Sequence, residues 1–213
     1  MLQLLLSGQV AVFIIVLTVL VFSLTLHEFG HALAGKLLGD DTAERMGRLT
    51  LNPFAHIDPM GLLMVVLIGF GYAKPVPMNT RALPHVWMRA MVAVAGPLMN
   101  FLLALLAING VVWAESSGSM HLSDALLAAL ILVAKMNLLL CLFNLLPVGA
   151  LDGHYVLAWL LPNELRARYE YFNNQYGSRL FMLLIVLSLL GLPIFRGLMT
   201  ISAMLMPHMV WVR

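Results

Sequence analysis

The stretch Gln9-Val10-Ala11-Val12-Phe13-Ile14-Ile15-Val16-Leu17-Thr18-Val19-Leu20-Val21-Phe22-Ser23-Leu24-Thr25-Leu26-His27-Glu28-Phe29-Gly30-His31 decides how this chain is read. Up to Leu26 it carries no charge, and it is long enough to cross a bilayer as a helix. Its last five residues then place two imidazoles and a carboxylate where hydrocarbon is expected, which is costly unless something binds them. Residues four apart share a helix face, so His27 and His31 can offer two ring nitrogens to one Zn²⁺. Glu28, beside the first histidine, is placed to take a proton from a water next to such an ion. A proton relay or a metal transporter is the other use for such a helix. The glutamate between the histidines, and the single helix carrying all three groups, favour hydrolysis.

Composition agrees with a membrane setting. Of 213 residues 62% are hydrophobic and 10% charged, with a mean hydropathy of +0.94, whereas a soluble domain carries about 25% charged residues. The expected organisation is a single membrane-embedded domain over residues 1–213, without room for an appended soluble domain. The first apolar run leads without a break into the histidine motif and is therefore not read as a cleavable signal peptide. A net charge of +2 gives no support for a nucleic-acid partner. Cys141 is the one cysteine, so no internal disulfide can form.

Three long helices are expected at about 8–38, 85–114 and 124–146, the last capped by Ser123 or Asp124 and broken by Pro147. Residues 61–72 are apolar but too short to span as a helix and are bracketed by Gly and Pro, so a re-entrant or strand-like element is expected. Residues 73–77 should be extended, because Pro75 and Pro77 restrict themselves and their predecessors. After a polar tract, 180–194 and 198–212 read as two short spans or a hairpin. The expected fold class is an all-α polytopic membrane protein with about five to six membrane helices or half-helices and a short re-entrant strand-like element.

Lys36, Arg45, Arg48, Lys74, Arg81 and Arg89 fall between the first and second long helices, Arg166, Arg168 and Arg179 follow the third, and the 115–123 loop holds no Lys or Arg. The positive-inside rule then puts the His-Glu-His end of the first helix at the cytoplasmic side. The second helix exits and the third returns, so the segment from Pro147 to Asp152 arrives at the depth of His31.

A catalytic zinc needs a third protein ligand if water is to hold the fourth position. The chain has only five Asp and five Glu. Asp152 is the first candidate, since it follows a helix end on the correct side; a helix cap or turn is its other reading. His154, His56 and Asp58 come next. Asn144 offers an amide that can donate to a developing oxyanion or to a neighbouring helix, and Asn137 lies on the same face. Gly96 and Pro97 suit close packing or a kink. Residues 69–78 suit an exposed strand edge on which an unwound substrate can pair, with Gly71, Tyr72 and Val76 in contact; an ordinary loop is the alternative. Lys135, near the middle of the third helix, has no role assigned.

Together, His27-Glu28-Phe29-Gly30-His31, Gly96-Pro97-Leu98-Met99-Asn100, and Asn144-Leu145-Leu146-Pro147 with Asp152-Gly153 resemble the site-2 protease family of intramembrane zinc metalloproteases. Asn52-Pro53 with His56-Ile57-Asp58-Pro59-Met60-Gly61 is similar to the loop after the first motif in compact prokaryotic members. The resemblance covers about residues 20–155. It implies one Zn²⁺ with Asp152 as third ligand and Glu28 as acid and base. It also implies that Asn144 assists near the scissile carbonyl and that Asn100, which we group with the substrate-binding residues, helps shape the core. Transmembrane protein substrates, the lipid bilayer as surroundings and a multi-pass place in the cell membrane are expected, with the site towards the cytoplasm. No oligomeric state follows. PDZ and CBS domains and a spanning helix before the zinc helix, found in longer members, have no counterpart here. A silent relative that binds membrane proteins without cutting them need not keep Glu28.

Overall fold

The computed structural model describes residues 1–69, 71–116 and 123–212. Its helices are α1 (Leu2–Leu6), α2 (Val10–Leu37), α3 (Thr42–Arg45), α4 (Pro59–Ile68), α5 (Val86–Ser116), α6 (Asp124–Asn144), α7 (Gly153–Leu160), α8 (Asn163–Phe172), α9 (Ser178–Leu189) and α10 (Arg196–Leu205). Three of them, α2, α5 and α6, are long and apolar enough to cross a membrane. Hydrocarbon offers no partner for a bare peptide group, so these apolar runs close their hydrogen bonds internally.

Each long helix starts or stops where its sequence dictates. Gly39, at φ +97, follows the end of α2 and turns the chain into a left-handed conformation that a side chain resists. Ser123 caps α6 by accepting from Leu126 N–H. In α2 the buried residues begin at Ser23 and continue to Gly35, so the first half of the helix meets lipid and the second half meets protein.

α5 is the central element, with α2, α6 and α7 packed around it. Its buried face is made largely of small residues, among them Ala90, Ala93, Gly96, Ala104, Ala107 and Ala114. Between helices that gain nothing from leaving water, small residues let backbones approach and make contact. Ala104, Leu105, Leu138 and Met209 form a cluster further along. The C-terminal segment is tied there by Asn109, whose Nδ2 donates to Met209 O at 2.8 Å and whose Oδ1 accepts from Trp211 N at 2.7 Å.

One expectation is corrected. Residues 61–68 are helical, within α4, rather than strand-like. Asp58 accepts from Gly61 N–H at 2.8 Å, Pro59 opens the helix, and Gly69 at φ 83 closes it. Those are helix start and stop signals, and they outweigh the shortness of the run. Residues 71–79 are not helical and make one isolated antiparallel bridge, Ile57 with Ala73; the described residues contain no sheet. Phe70, residues 117–122 and Arg213 lie outside the described residues. Near the C-terminus, α9 and α10 are too short to span singly. The turn between them carries Gly191 at φ +96 and Pro193, which ends one helix and prevents its continuation into the next. α8 and α9 are instead joined by a π-turn, Asn173–Gly177.

Candidate metal centre

His27 and His31 project from α2 toward α5, and the contact is close because no side chain intervenes. A Cβ on Gly96 would lie 2.3 Å from His31 Nε2 and 2.8 Å from His27 Cε1. On the facing helix, a Cβ on Gly30 would lie 2.8 Å from the Ala95 carbonyl oxygen. Pro97 removes one N–H from the α5 ladder at Ala93, in the turn that lies over the imidazoles.

The far nitrogen of each ring has a partner that settles its proton. His27 Nδ1 lies 2.6 Å from Asn100 Oδ1, and His31 Nδ1 lies 2.8 Å from Val92 O. A backbone carbonyl can only accept, so His31 Nδ1 carries hydrogen. Asn100 is oriented by its other end, where Nδ2 donates to Ser23 O at 3.2 Å and to Asn137 Oδ1 at 2.9 Å. Its oxygen must then face His27, whose Nδ1 also carries hydrogen. Asn137 in turn donates to Ser23 Oγ and to Val133 O, both at 2.9 Å. In the neutral imidazole this tautomer presents Nε2 as the lone-pair acceptor, the form in which an imidazole ligates a metal.

Those lone pairs face each other at 3.0 Å. Asp152 Oδ2 lies 3.2 Å from one and 3.4 Å from the other. This oxygen is buried and has no hydrogen-bond partner. Three acceptors converging without a proton between them repel one another, and a cation among them removes the conflict. Two imidazole nitrogens and a carboxylate oxygen are a donor set that suits Zn²⁺ and leaves an open position. Among the described residues His27, His31 and Asp152 form the one such trio.

Asp152 stands at the N-terminus of α7 but makes no capping hydrogen bond, so its cap reading is not what the structure shows. The turn before it is held from below. Asn173 in the π-turn accepts from Gly149 N and donates to Gly149 O, each at 3.0 Å. Gly149 sits at φ +67, and a Cβ there would meet Phe181 Cβ at 2.7 Å.

Glu28 is 8% exposed, and its Oε2 accepts from Val76 N at 3.2 Å. Pro75 and Pro77 have no N–H, so Val76 supplies the only amide hydrogen of that tripeptide. The extended segment is fastened at three further points: Arg48 donates to Pro75 O at 3.0 Å and to Lys74 O, and Asp40 accepts from Asn79 N at 2.7 Å. Burial alone would raise the Asp40 carboxyl; hydrogen bonds from Thr42 and Asn79 more than reverse this and hold it below the usual carboxylate range.

A cavity of about 720 Å³ brings these parts together. His27, Glu28, His31, Gly71, Tyr72, Val76, Asn144 and Asp152 all line it. Asn144 lies at the mouth end of α6, its Nδ2 donating to Leu140 O at 3.0 Å. Asn100 does not line the cavity. It is 0% exposed with its amide committed to His27, Ser23 and Asn137, so it orients the His27 ring from behind and is closed off from the cavity in which a substrate contact was expected. The other candidate ligands are occupied elsewhere. His56 is fully buried, its Nε2 donating to Thr50 O at 2.8 Å while Arg48 donates to its Nδ1. Asp58 caps α4. His154 lines the cavity, but its Nδ1 pairs with Leu151 O at 2.8 Å. Asn173, Arg48 and Asp40 were not singled out from sequence. Arg48 was one loop charge among six until the fold buried it, and the polar tract around Asn173 offered no signal.

Residues 12–118 match Peptidase family M50. The chain is 37% identical over 171 residues to "Putative zinc metalloprotease YwhC" of Bacillus subtilis (strain 168), covering 78% of each. It is 36% identical over 161 residues to "Putative zinc metalloprotease Rip2" of Mycolicibacterium smegmatis, covering 70% of this chain and 58% of that one. With "Putative zinc metalloprotease Rip2" of Mycobacterium tuberculosis (strain ATCC 25618 / H37Rv) it shares 34% identity over 164 residues, 68% of this chain and 57% of that one. No solved structure matches.

Proposed function

The chain belongs to peptidase family M50 and is an intramembrane zinc metalloprotease; from that premise we propose that His27, His31 and Asp152 hold the zinc, that Glu28 carries the proton, and that the peptide bond cut lies in a transmembrane segment of another protein. The observation that carries this reading is the meeting of two imidazole Nε2 atoms with a buried carboxylate oxygen that has no hydrogen-bond partner. When bound, zinc polarises a peptide carbonyl and lowers the pKa of water towards about 7.

The chain's own groups do the rest. Glu28 faces the same cavity as the trio and takes a proton from the attacking water, then returns it to the leaving amine. Val76 N–H holds that carboxylate in place. Asn144, in the cavity wall, turns its amide from Leu140 O towards the developing oxyanion. Residues of the non-helical segment 71–78, among them Gly71, Tyr72, Val76 and Met78, line the cavity, so an unwound substrate can satisfy its backbone groups against it. Gly71, Tyr72 and Val76 are the contacts. The basic loops at this end of the spans support a site facing the cytoplasm of a cell membrane.

Purified protein in liposomes, mixed with a panel of tagged membrane proteins, tests the reading. Cleavage should stop with a chelator and return with Zn²⁺. Cleavage that persists after metal removal, with zinc content shown to be nil, would overturn it.

A further inference from the structure

Lys135 belongs to none of this machinery. It lies eleven residues after the start of α6 and nine before its end, so it sits near the middle of a helix of about 30 Å, the thickness of the hydrocarbon layer. Its four-carbon stem is shorter than the roughly 15 Å to either edge, and snorkelling leaves the ammonium inside the apolar layer. Nine residues separate it from Asn144, half a turn round the helix, so it points away from the cavity that holds Glu28 and Asp152. The side chain is exposed, and no described residue pairs with it. It opens on a groove of about 520 Å³ bounded by Ile108, Leu139, Met199, Met206 and Val210, where Ser202 is the other polar side chain.

Among the described residues no acidic side chain lies near enough to neutralise it. Glu115 and Asp124 lie at the outer end of the spans, and the other eight acids lie in the inner loops or at the level of the metal centre. A second copy therefore brings no acid to this depth. Lipid phosphates and fatty-acid carboxylates sit at the interface, a half-thickness away. A complementary charge at mid-bilayer has to be carried by a spanning polypeptide.

We propose that the groove beside Lys135 seats a transmembrane helix of a partner membrane protein that carries Asp or Glu at bilayer mid-depth, and that this partner docks apart from the segment being cut. An isolated ammonium in hydrocarbon is costly, and pairing with a carboxylate at the same depth relieves both groups at once.

The test uses the full chain, zinc-loaded, in liposomes, with labelled host helices of Leu and Ala and energy transfer as the readout. A helix with Asp at its centre should associate about tenfold more tightly than the same helix with Leu there, in the range of polar helix contacts in membranes. Moving the Asp seven residues toward either end should abolish the gain. Lys135→Leu should abolish it while zinc content and proteolysis stay unchanged, and Lys135→Glu should transfer the preference to a helix centred on Lys. The charge exchange keeps the test decisive should Lys135→Leu lose zinc. Equal binding of Asp-centred and Leu-centred helices would overturn the proposal. So would a preference that survives Lys135→Leu, displacement of the helix by an active-site hydroxamate, or self-association of the chain that blocks the groove.

Discussion

An imidazole ligates a metal through whichever nitrogen lacks a proton, and here that choice is made away from the metal. Asn100 and the Val92 carbonyl take the Nδ1 hydrogens and leave both Nε2 atoms bare. Asn100→Ala should strand the His27 Nδ1–H in a buried site and lower zinc affinity about 10- to 100-fold, as removal of such orienting partners does. Competition with a graded chelator measures this, and unchanged affinity would remove Asn100 from its positioning role. Glu28→Gln keeps size and hydrogen-bond capacity but not basicity. Zinc should remain at one per chain while hydrolysis falls about 10²- to 10⁴-fold. Metal analysis beside a cleavage assay checks both halves, and near-normal turnover would refute the acid and base assignment.

Between elements, distance is set by what is missing from α5. A methyl group on Gly96 would overlap His31 and His27, and neither ring can retreat because each is held at Nδ1. Gly96→Ala should therefore cost zinc binding while the chain still inserts and folds; retention of full zinc content would show that α2 and α5 can part. The clamp of Asn173 on Gly149 holds the turn that delivers Asp152. Asn173→Ala should weaken zinc retention more than it lowers thermal stability, measured on the same preparation. The extended segment is a third case. Photocrosslinkers at Tyr72 or Val76 should capture substrate, and capture should survive Glu28→Gln because binding precedes chemistry. A crosslinking map confined to α5 and α6 would end that idea. Asp40 holds the segment's far end with a carboxyl below its usual range. Its contribution is complete above the ordinary carboxylate pKa and is lost only as pH falls through the lowered value, so capture should persist at pH 5.

At the scale of the molecule, three helices long and apolar enough to cross a membrane fold so that the segments carrying His27, His31 and Asp152 meet. Labelling of single cysteines at Lys36 and Ser123, in a background with Cys141 replaced, should place the first inside and the second outside. Labelling from the same side would contradict the three-span arrangement.

The sequence by itself determined the three long apolar helices, and it supplied the loop-charge pattern and the His27, His31 pair on which the proposed orientation and metal site rest. Each of these is written locally: apolar length sets a span, loop charge sets its orientation, and an i, i+4 histidine pair shares a helix face whatever surrounds it. Asp152 was within reach of the same reasoning, because topology alone returned it to the depth of His31. The tautomers, the clamp on Gly149 and the place of Asn100 behind a ligand depend on atoms more than twenty residues apart in sequence. No local pattern encodes such contacts; they exist only once α5 has packed between α2 and α6. Residues 61–68 failed for a different reason. Apolar length says whether a segment can span a membrane, but a cap at Asp58 and a left-handed Gly69 decide that its backbone bonds close as a helix. Residues 74–79 are held by Arg48, Asp40 and Glu28 from elsewhere in the fold, so tertiary structure alone places them against the cavity that holds His27, His31 and Asp152.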